Sequence, residues 1–340
     1  MSSSLSSPPR LAGVFSSGRS GSTWLGAILN SHPELVYRFE PLHRARPGTE
    51  LALLRSRLES GAFGNADLPG AYEALRVANP ATDKPPFFVK RGDSRPKVAG
   101  LALRQLVWMA AERAPALAGT YGRLFAPRGR PLVVFKEVTF EHVLAPILAC
   151  DGFRAAYLVR HPCAVVSSTL AGQQAGLMST GRMKVLASLL ADHDPELAAR
   201  VSGRLEAMSP AELNALLWRI EVEKGVAATR DHPRAMILVY EDLCVQTSKR
   251  VAELFAHFGL GFPDETRHFL EESSRAGRGA RWRRGEQFIG DYFSVFRDTR
   301  ESRDKWKTLL SAEDRKGVLG MVRDSSAFAF CARLGSWDVD

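Results

Sequence analysis

Cysteine is scarce in this chain, and where it occurs its spacing rules out two common roles. Among 340 residues there are four, Cys150, Cys163, Cys244 and Cys331. They lie too far apart for a zinc-ligand pattern and too sparsely for a small disulfide scaffold. Four free thiols in a reducing compartment is the reading that remains. Long hydrophobic runs are missing as well, so no membrane-spanning helix is expected. The opening MSSSLSSPPR is polar and has no apolar signal core, which points to a disordered tail over 1–10 and a soluble, cytoplasmic protein. There is no internal repeat and no known nucleic-acid-binding motif. The formal net charge of +9 attracts phosphates in either case. Without a nucleic-acid motif, it fits an enzyme that takes a multiply anionic nucleotide better than a partner of DNA or RNA.

What the chain does have is enough apolar material for a sizeable core, 45% hydrophobic against 24% charged, and a repeated strand-then-helix rhythm. Leu11 to Ser16, Leu132 to Lys136, Phe153 to Val159 and Ala235 to Tyr240 read as strands. Helical patterns follow them, such as Glu141 to Cys150 and Lys249 to Phe258. That alternation predicts an α/β, P-loop-like three-layer fold, with a central, mainly parallel sheet flanked by helices. Pro/Gly-rich breaks set off helical insertions near 47–130, with Leu51 to Ser60 and Val98 to Arg113, and near 180–231, with Pro210 to Arg230. The whole of 11–340 is expected to form one domain, with the acceptor pocket built from the insertions.

The segment from Val14 to Pro41, VFSSGRSGSTWLGAILNSHPELVYRFEP, carries the most chemistry. An apolar strand runs into a small-residue turn, Ser16 to Gly21, and then into helical spacing from Ser22 to Asn30. Such a turn leaves backbone N–H groups at a helix N-terminus, where the helix dipole favours an anion. Gly18 and Gly21 permit unusual backbone and close approach. Ser17, Ser20, Ser22 and Thr23 offer hydroxyls, and Arg19 adds a fixed planar charge. The plain alternative, an N-capped Ser/Gly turn, does not account for the arginine and the run of hydroxyls together. The loop is not a Walker A sequence: Gly21 stands where the lysine belongs, and the cation lies two positions earlier. Cation and hydroxyls could therefore grip a phosphate directly, with no metal required.

A second block, AAYLVRHPCAVVSSTL from Ala155 to Leu170, has the same grammar. An apolar strand is followed by Pro162 at a helix start, so Arg160 emerges at the carboxyl end of a strand, the edge where open α/β sheets bind ligands. A guanidinium and a hydroxyl there can clamp a second phosphate. An isolated surface arginine paired with a carboxylate is the competing reading. Cys163 lies in this block, either lining the site or as a neighbouring buried thiol.

The two blocks together, SSGRSGSTWL with NSHPELVYRFEPLH and then AAYLVRHPCAVVSSTL, resemble the 5'-phosphosulfate loop, the Glu-Pro element and the 3'-phosphate segment of carbohydrate-type sulfotransferases. These use 3'-phosphoadenosine 5'-phosphosulfate (PAPS). The resemblance implies that Ser17 to Trp24 hold the 5' end of the co-substrate, and that Arg160 and Ser168 hold its 3'-phosphate. It implies transfer of a sulfuryl group to a hydroxyl of a sugar, lipid or small metabolite, without a metal. The polar opening of the chain departs from the membrane-anchored animal members and implies a soluble, bacterial-type form.

For catalysis, an acceptor hydroxyl needs a base, and the sulfuryl group with its leaving phosphate needs positive charge. Glu40 follows the extended stretch Leu35 to Phe39. Pro41 disfavours helical backbone at Glu40, which predicts an extended approach. An ion pair of Glu40 with Arg38, Arg44 or Arg46 is the alternative, and His43 is the competing base. Lys136 ends PLVVFK. In the related cytosolic sulfotransferases, a lysine at this strand end touches the transferring group and a catalytic histidine follows two residues later. Here that second position is Val138, so the base moves to Glu40, with Lys136 and Arg19 stabilising charge.

ILVYEDL at 237–243 reads either as a magnesium-holding Walker B or as a structural sulfotransferase strand with Asp242 capping the next helix. The missing Walker lysine favours the second. RDTRESRDKWKTLLS from Arg297 resembles the family's nucleotide-closing segment, with Arg297, Arg300 and Arg303 as candidates and Arg300 preferred. Arg281, Arg283 and Arg284 could form a flap, and Trp24 or Trp282 could stack on adenine or sit in the core. Two other classes remain: a P-loop nucleoside kinase or NTPase, and a non-catalytic nucleotide- or nucleic-acid-binding protein.

Overall fold

The computed structural model describes residues 10–91, 97–274, 299–335 and 337, with side chains omitted at 97–99, 274 and 299–301. Five strands, β1 (Leu11–Ser16), β2 (Leu35–Phe39), β3 (Leu132–Val138), β4 (Arg154–Val159) and β5 (Ala235–Val239), form one sheet in the order β2-β3-β1-β4-β5. Every pairing is parallel. The expected α/β, P-loop-like layered fold is therefore present. Leu35–Phe39, read from sequence only as an extended stretch, is the edge strand beside β3.

Strand alternation divides the core in two. Leu11, Phe15, Val133, Phe135, Ala155 and Tyr157 face one layer, and Ala12, Val14, Val134, Ala156 and Leu158 face the other. Period-two side chains on strands buried on both sides read as near-continuous apolar runs, which is why the strands were legible. The first layer is covered mainly by helices Pro162–Gln174 and Pro210–Thr229, the second by Ser22–Ser31, Thr247–His257 and Asp264–Ser274. Helix Pro210–Thr229 begins with a capping box between Ser209 and Glu212, the reciprocal arrangement that satisfies two orphan N–H groups. Among the described residues no helix is long and apolar enough to cross a membrane.

Three local expectations need correction. Lys136 does not end its strand: β3 continues to Val138, because the register carries β1 to Ser16 opposite Val138. The chain turns only at Thr139, at φ 59°. Asp242 caps nothing. It lies inside the short helix Tyr240–Val245, whose N-cap is Val239, and pairs with Arg250. Glu141 to Cys150 is not one helix but a 3-10 turn, Glu141–Val143, followed by the short helix Leu144–Leu148.

One glycine shows how tightly the first layer is packed. A Cβ on Gly225 would lie 2.1 Å from the Tyr157 ring, whose hydroxyl donates to the Glu221 carbonyl at 3.1 Å. Gly225→Ala is expected to cost about 1–3 kcal/mol through overpacking, measured as a lower urea midpoint.

Candidate functional site at the carboxyl edge of the sheet

The site assembles where β1, β2, β3 and β4 end side by side. After β1 the chain makes a tight loop that only particular backbone allows. Arg19 takes φ 64° and Gly21 φ 89° before helix Ser22–Ser31 begins. Gly21 is required on two counts: its φ is left-handed, and a Cβ would meet the Tyr240 ring at 2.3 Å. Gly18, by contrast, has open space around it. Inside the loop the buried Ser17 and Ser20 hydroxyls bond each other at 2.7 Å. The helix N-terminus has no side-chain cap, and the Trp24 N–H already donates to the Gly21 carbonyl at 3.1 Å; uncapped amides at a helix start are the kind that bind anions.

The tertiary fold joins this loop to the second block. Arg19 Nε donates to Ser168 Oγ at 3.0 Å, across 149 residues of sequence. Arg160 donates to the Arg19 carbonyl at 3.2 Å and to the Ser302 carbonyl at 2.6 Å. Its guanidinium lies 4.4 Å from the centre of the Tyr240 ring, a cation–π contact. Arg160 Nε is buried without a hydrogen-bond partner among the described residues. Arg19, Arg160 and Ser168 therefore form one cluster, with a segment from the last third of the chain, at Ser302, closing against it.

Tyr240 is a residue whose place in the site sequence reasoning missed. It packs under Gly21, lies beneath Arg160 and meets Trp24 edge-on at 6.1 Å. Its neighbour Glu241 is buried, accepts from the His161 N–H at 3.1 Å and from Trp337 Nε1 at 2.8 Å, and burial raises its pKa. Glu241 thus anchors the strand end that presents Arg160. With Glu241 bonded to His161 and Trp337 and Asp242 to Arg250, ILVYEDL has a structural role. Trp24 is buried in the second core layer. Cys163 is buried too, its thiol pushed up to about 12 by burial, so it does not line the cluster as an ionised group.

At the ends of β2 and β3 sits the second half of the site. Glu40 Oε1 accepts from Lys136 Nζ at 2.6 Å, and Lys136 is 1% exposed. The predicted extended approach at Glu40 is wrong. Its φ is 49°, because the chain reverses here: the Glu40 N–H donates to the Lys136 carbonyl at 2.8 Å, and the Glu40 carbonyl accepts from the Arg44 N–H at 3.0 Å. Pro41 excludes helix but does not enforce extension. Arg44 lies 4.0 Å from Glu40 Oε2, whereas Arg38 is buried against Asp83 at 2.7 Å. His43, the competing base, is exposed and stands edge-on to Phe140 at 6.4 Å.

Glu137 was overlooked in the sequence because a strand carboxylate beside a lysine carries no pattern. It is fully buried and accepts from the Leu42 N–H at 2.5 Å. Adjacent β3 residues thus hold the turn twice, Lys136 through the Glu40 carboxylate and Glu137 through the backbone beyond Pro41. Burial pushes the Glu137 pKa up to about 8, against the pull of the Leu42 and His43 amides and of Lys136. Of the candidates in the last third, Arg300 lies in helix Thr299–Asp304 with its side chain outside the described residues, and Arg303 pairs with Asp304 at 2.7 Å. Arg281, Trp282, Arg283, Arg284 and Arg297 lie outside the described residues.

No family model and no curated protein sequence matches the chain. Solved structures do. The sulfotransferase domain of a Synechococcus olefin synthase is 18% identical and aligns over 98% of this chain and 97% of its own length, with a TM-score of 0.50. The chain has the sulfotransferase fold. The sulfotransferase domain of the curacin biosynthetic pathway aligns over 98% of this chain and all of its own length at 17% identity, with a TM-score of 0.49.

Glu137 also has a consequence for stability. Its folded pKa of about 8 lies above the usual 4.5, so the folded protein holds this proton more tightly than the unfolded chain. The contribution is complete below 4.5 and is lost as pH rises through about 8. Glu137→Gln is expected to flatten the fall of Tm across that window, measured by thermal melts at stepped pH. An unchanged slope would place the titration elsewhere.

Proposed function

We propose that the protein is a PAPS-dependent sulfotransferase, soluble and of bacterial type. It would transfer the sulfuryl group of 3'-phosphoadenosine 5'-phosphosulfate to a hydroxyl of a sugar, lipid or small metabolite. The observation that carries this reading is the single cluster made by the Arg19 loop, Arg160 and Ser168, with the Glu40–Lys136 pair at the next two strand ends, β3 and β2. The fold is that of sulfotransferase domains. The residues also fit the co-substrate: among the described residues Arg160 Nε is an unsatisfied buried donor, and the space at Gly18 is open.

In this reading Arg160 and Ser168 bind the 3'-phosphate, and Ser17 to Thr23 with the helix N-terminus bind the 5' end. Glu40 accepts the proton of the acceptor hydroxyl. The acceptor oxygen forms a bond to sulfur, and the bond from sulfur to the 5'-phosphate oxygen breaks, with its electron pair leaving on the phosphate. Lys136 releases Glu40 to take up the charge developing on the sulfuryl and phosphate oxygens, and Arg19 supports it. The four buried, unpaired cysteines accord with a cytoplasmic enzyme. The Glu-Pro element favours the carbohydrate-type branch.

Calorimetric titration is expected to show 3'-phosphoadenosine 5'-phosphate (PAP) binding without magnesium, and AMP binding at least about tenfold more weakly, since the charge-assisted bonds to the 3'-phosphate are lost. Equal affinity would overturn the Arg160 assignment, and binding of ATP only with magnesium would favour a kinase. Glu40→Gln keeps an oxygen for Lys136 and should leave PAP affinity intact. Transfer from labelled PAPS into a cell extract should fall about a hundredfold or more. Retained turnover would move the base to His43 or water.

A further inference from the structure

Along the carboxyl edge of the sheet the groups follow the strand order. Arg160 stands after β4, the phosphate loop after β1, Lys136 near the end of β3 and Glu40 after β2. Since β2 is the edge strand, whatever lies beyond it is on the side of Glu40 away from the nucleotide cluster. The segment there is Thr82 to Lys84, tied to β2 by the Phe39 N–H donating to the Thr82 carbonyl at 2.7 Å.

This side is strongly cationic. Three cations surround the Phe39 ring: Lys136 Nζ at 4.2 Å, the Arg44 guanidinium at 5.1 Å and Lys84 Nζ at 5.6 Å from its centre. The nearby carboxylates are already engaged. Glu40 is bonded to Lys136 at 2.6 Å. Asp83, next to Lys84 in sequence, takes Arg38 at 2.7 Å, Arg104 at 2.9 Å and the Tyr121 hydroxyl at 2.7 Å. Lys84 is half-buried and makes no hydrogen bond or ion pair among the described residues. Burial and then Arg44 lower its pKa, with Glu112 and Glu40 opposing. An anion placed between Lys84 and Arg44 would relieve that repulsion. Lys84 lines a cavity of about 400 Å³ with Arg38, Phe87 and Arg104, and Arg44 lines a second of about 360 Å³ with Arg38, Pro41 and Arg46, so open space adjoins each cation.

We propose that the acceptor is an anionic hydroxy compound, whose carboxylate, phosphate or sulfate is bound by Lys84 and Arg44 while its hydroxyl meets Glu40. This rests on the sulfotransferase reading and names the substrate class of the same site. The cations of the nucleotide cluster serve the co-substrate, and Lys84 and Arg44 serve the acceptor.

The test uses the full chain saturated with PAP, so that the nucleotide site cannot take up the probe. Matched pairs are titrated calorimetrically: glucuronate against its methyl ester, mandelate against methyl mandelate, and glycerol phosphate against glycerol. The charged members are expected to bind at least about tenfold more tightly. Lys84→Ala should abolish the difference, and Lys84→Arg should restore it. Charged and neutral members binding alike, a failure of all to bind, or an equal loss on both in Lys84→Ala overturns the inference. In each of those cases unchanged PAP affinity leaves the nucleotide reading standing. Failure of PAP itself to bind removes that reading and the inference with it.

Discussion

The buried ammonium of Lys136 is the constraint on which the site depends. A charge 1% exposed within a strand of the central sheet is tolerable only with a partner, and removing the partner of a buried pair typically costs about 3–5 kcal/mol. That partner is Glu40, at 2.6 Å. Pairing the two pulls the chain back over the end of β3 as soon as β2 stops, and the positive φ at Glu40 is the local strain that this reversal carries. Glu137 takes the next free amide of the same turn. The carboxylate proposed as the base is therefore held by the strand beside it. A ligand oxygen near Lys136 would replace the carboxylate as its partner and leave Glu40 free to accept a proton.

The half around Arg19 and Arg160 is built by a different device. Its loop owes its shape to Tyr240, which occupies the space a side chain at Gly21 would need and supports Arg160 from below. Arg160 in turn reaches the backbone of both Arg19 and Ser302. Three distant stretches are thus brought together by one ring and one guanidinium. A buried donor there without a partner among the described residues, Arg160 Nε, is costly unless something else satisfies it. The two halves differ in how they manage charge: a nearly neutral pair at Glu40 and Lys136, and an excess of cation both at the cluster and, beyond β2, at Lys84 and Arg44.

Much of this was legible in the sequence. Apolar runs bounded by turns gave four of the five strands, because strands buried on both faces need no alternation to be seen. The Ser/Gly/Arg loop was legible because a run of small residues around a cation stands out between a strand and a helix, and Arg160 because Pro162 marks the helix start behind it. β2 was recognised only as extended chain, since five residues carry too little pattern to show where they pair. The reversal at Glu40 was misjudged because proline restricts its predecessor without choosing among the remaining conformations.

Residue types and their order along the chain determined the layered α/β fold and the small-residue loop after β1, and singled out Arg19, Arg160, Ser168, Glu40 and Lys136 as candidates. Only the tertiary structure decided who touches whom. Arg19 bonds Ser168 across 149 residues, Glu40 chooses Lys136 over Arg38, and Tyr240, Glu137 and Lys84 acquire their places from packing. The physical reason is that backbone preference and burial act over a few residues and leave marks in local sequence. The partner of a buried charge is chosen by whatever strand ends beside it, and strand order is set by the sheet as a whole.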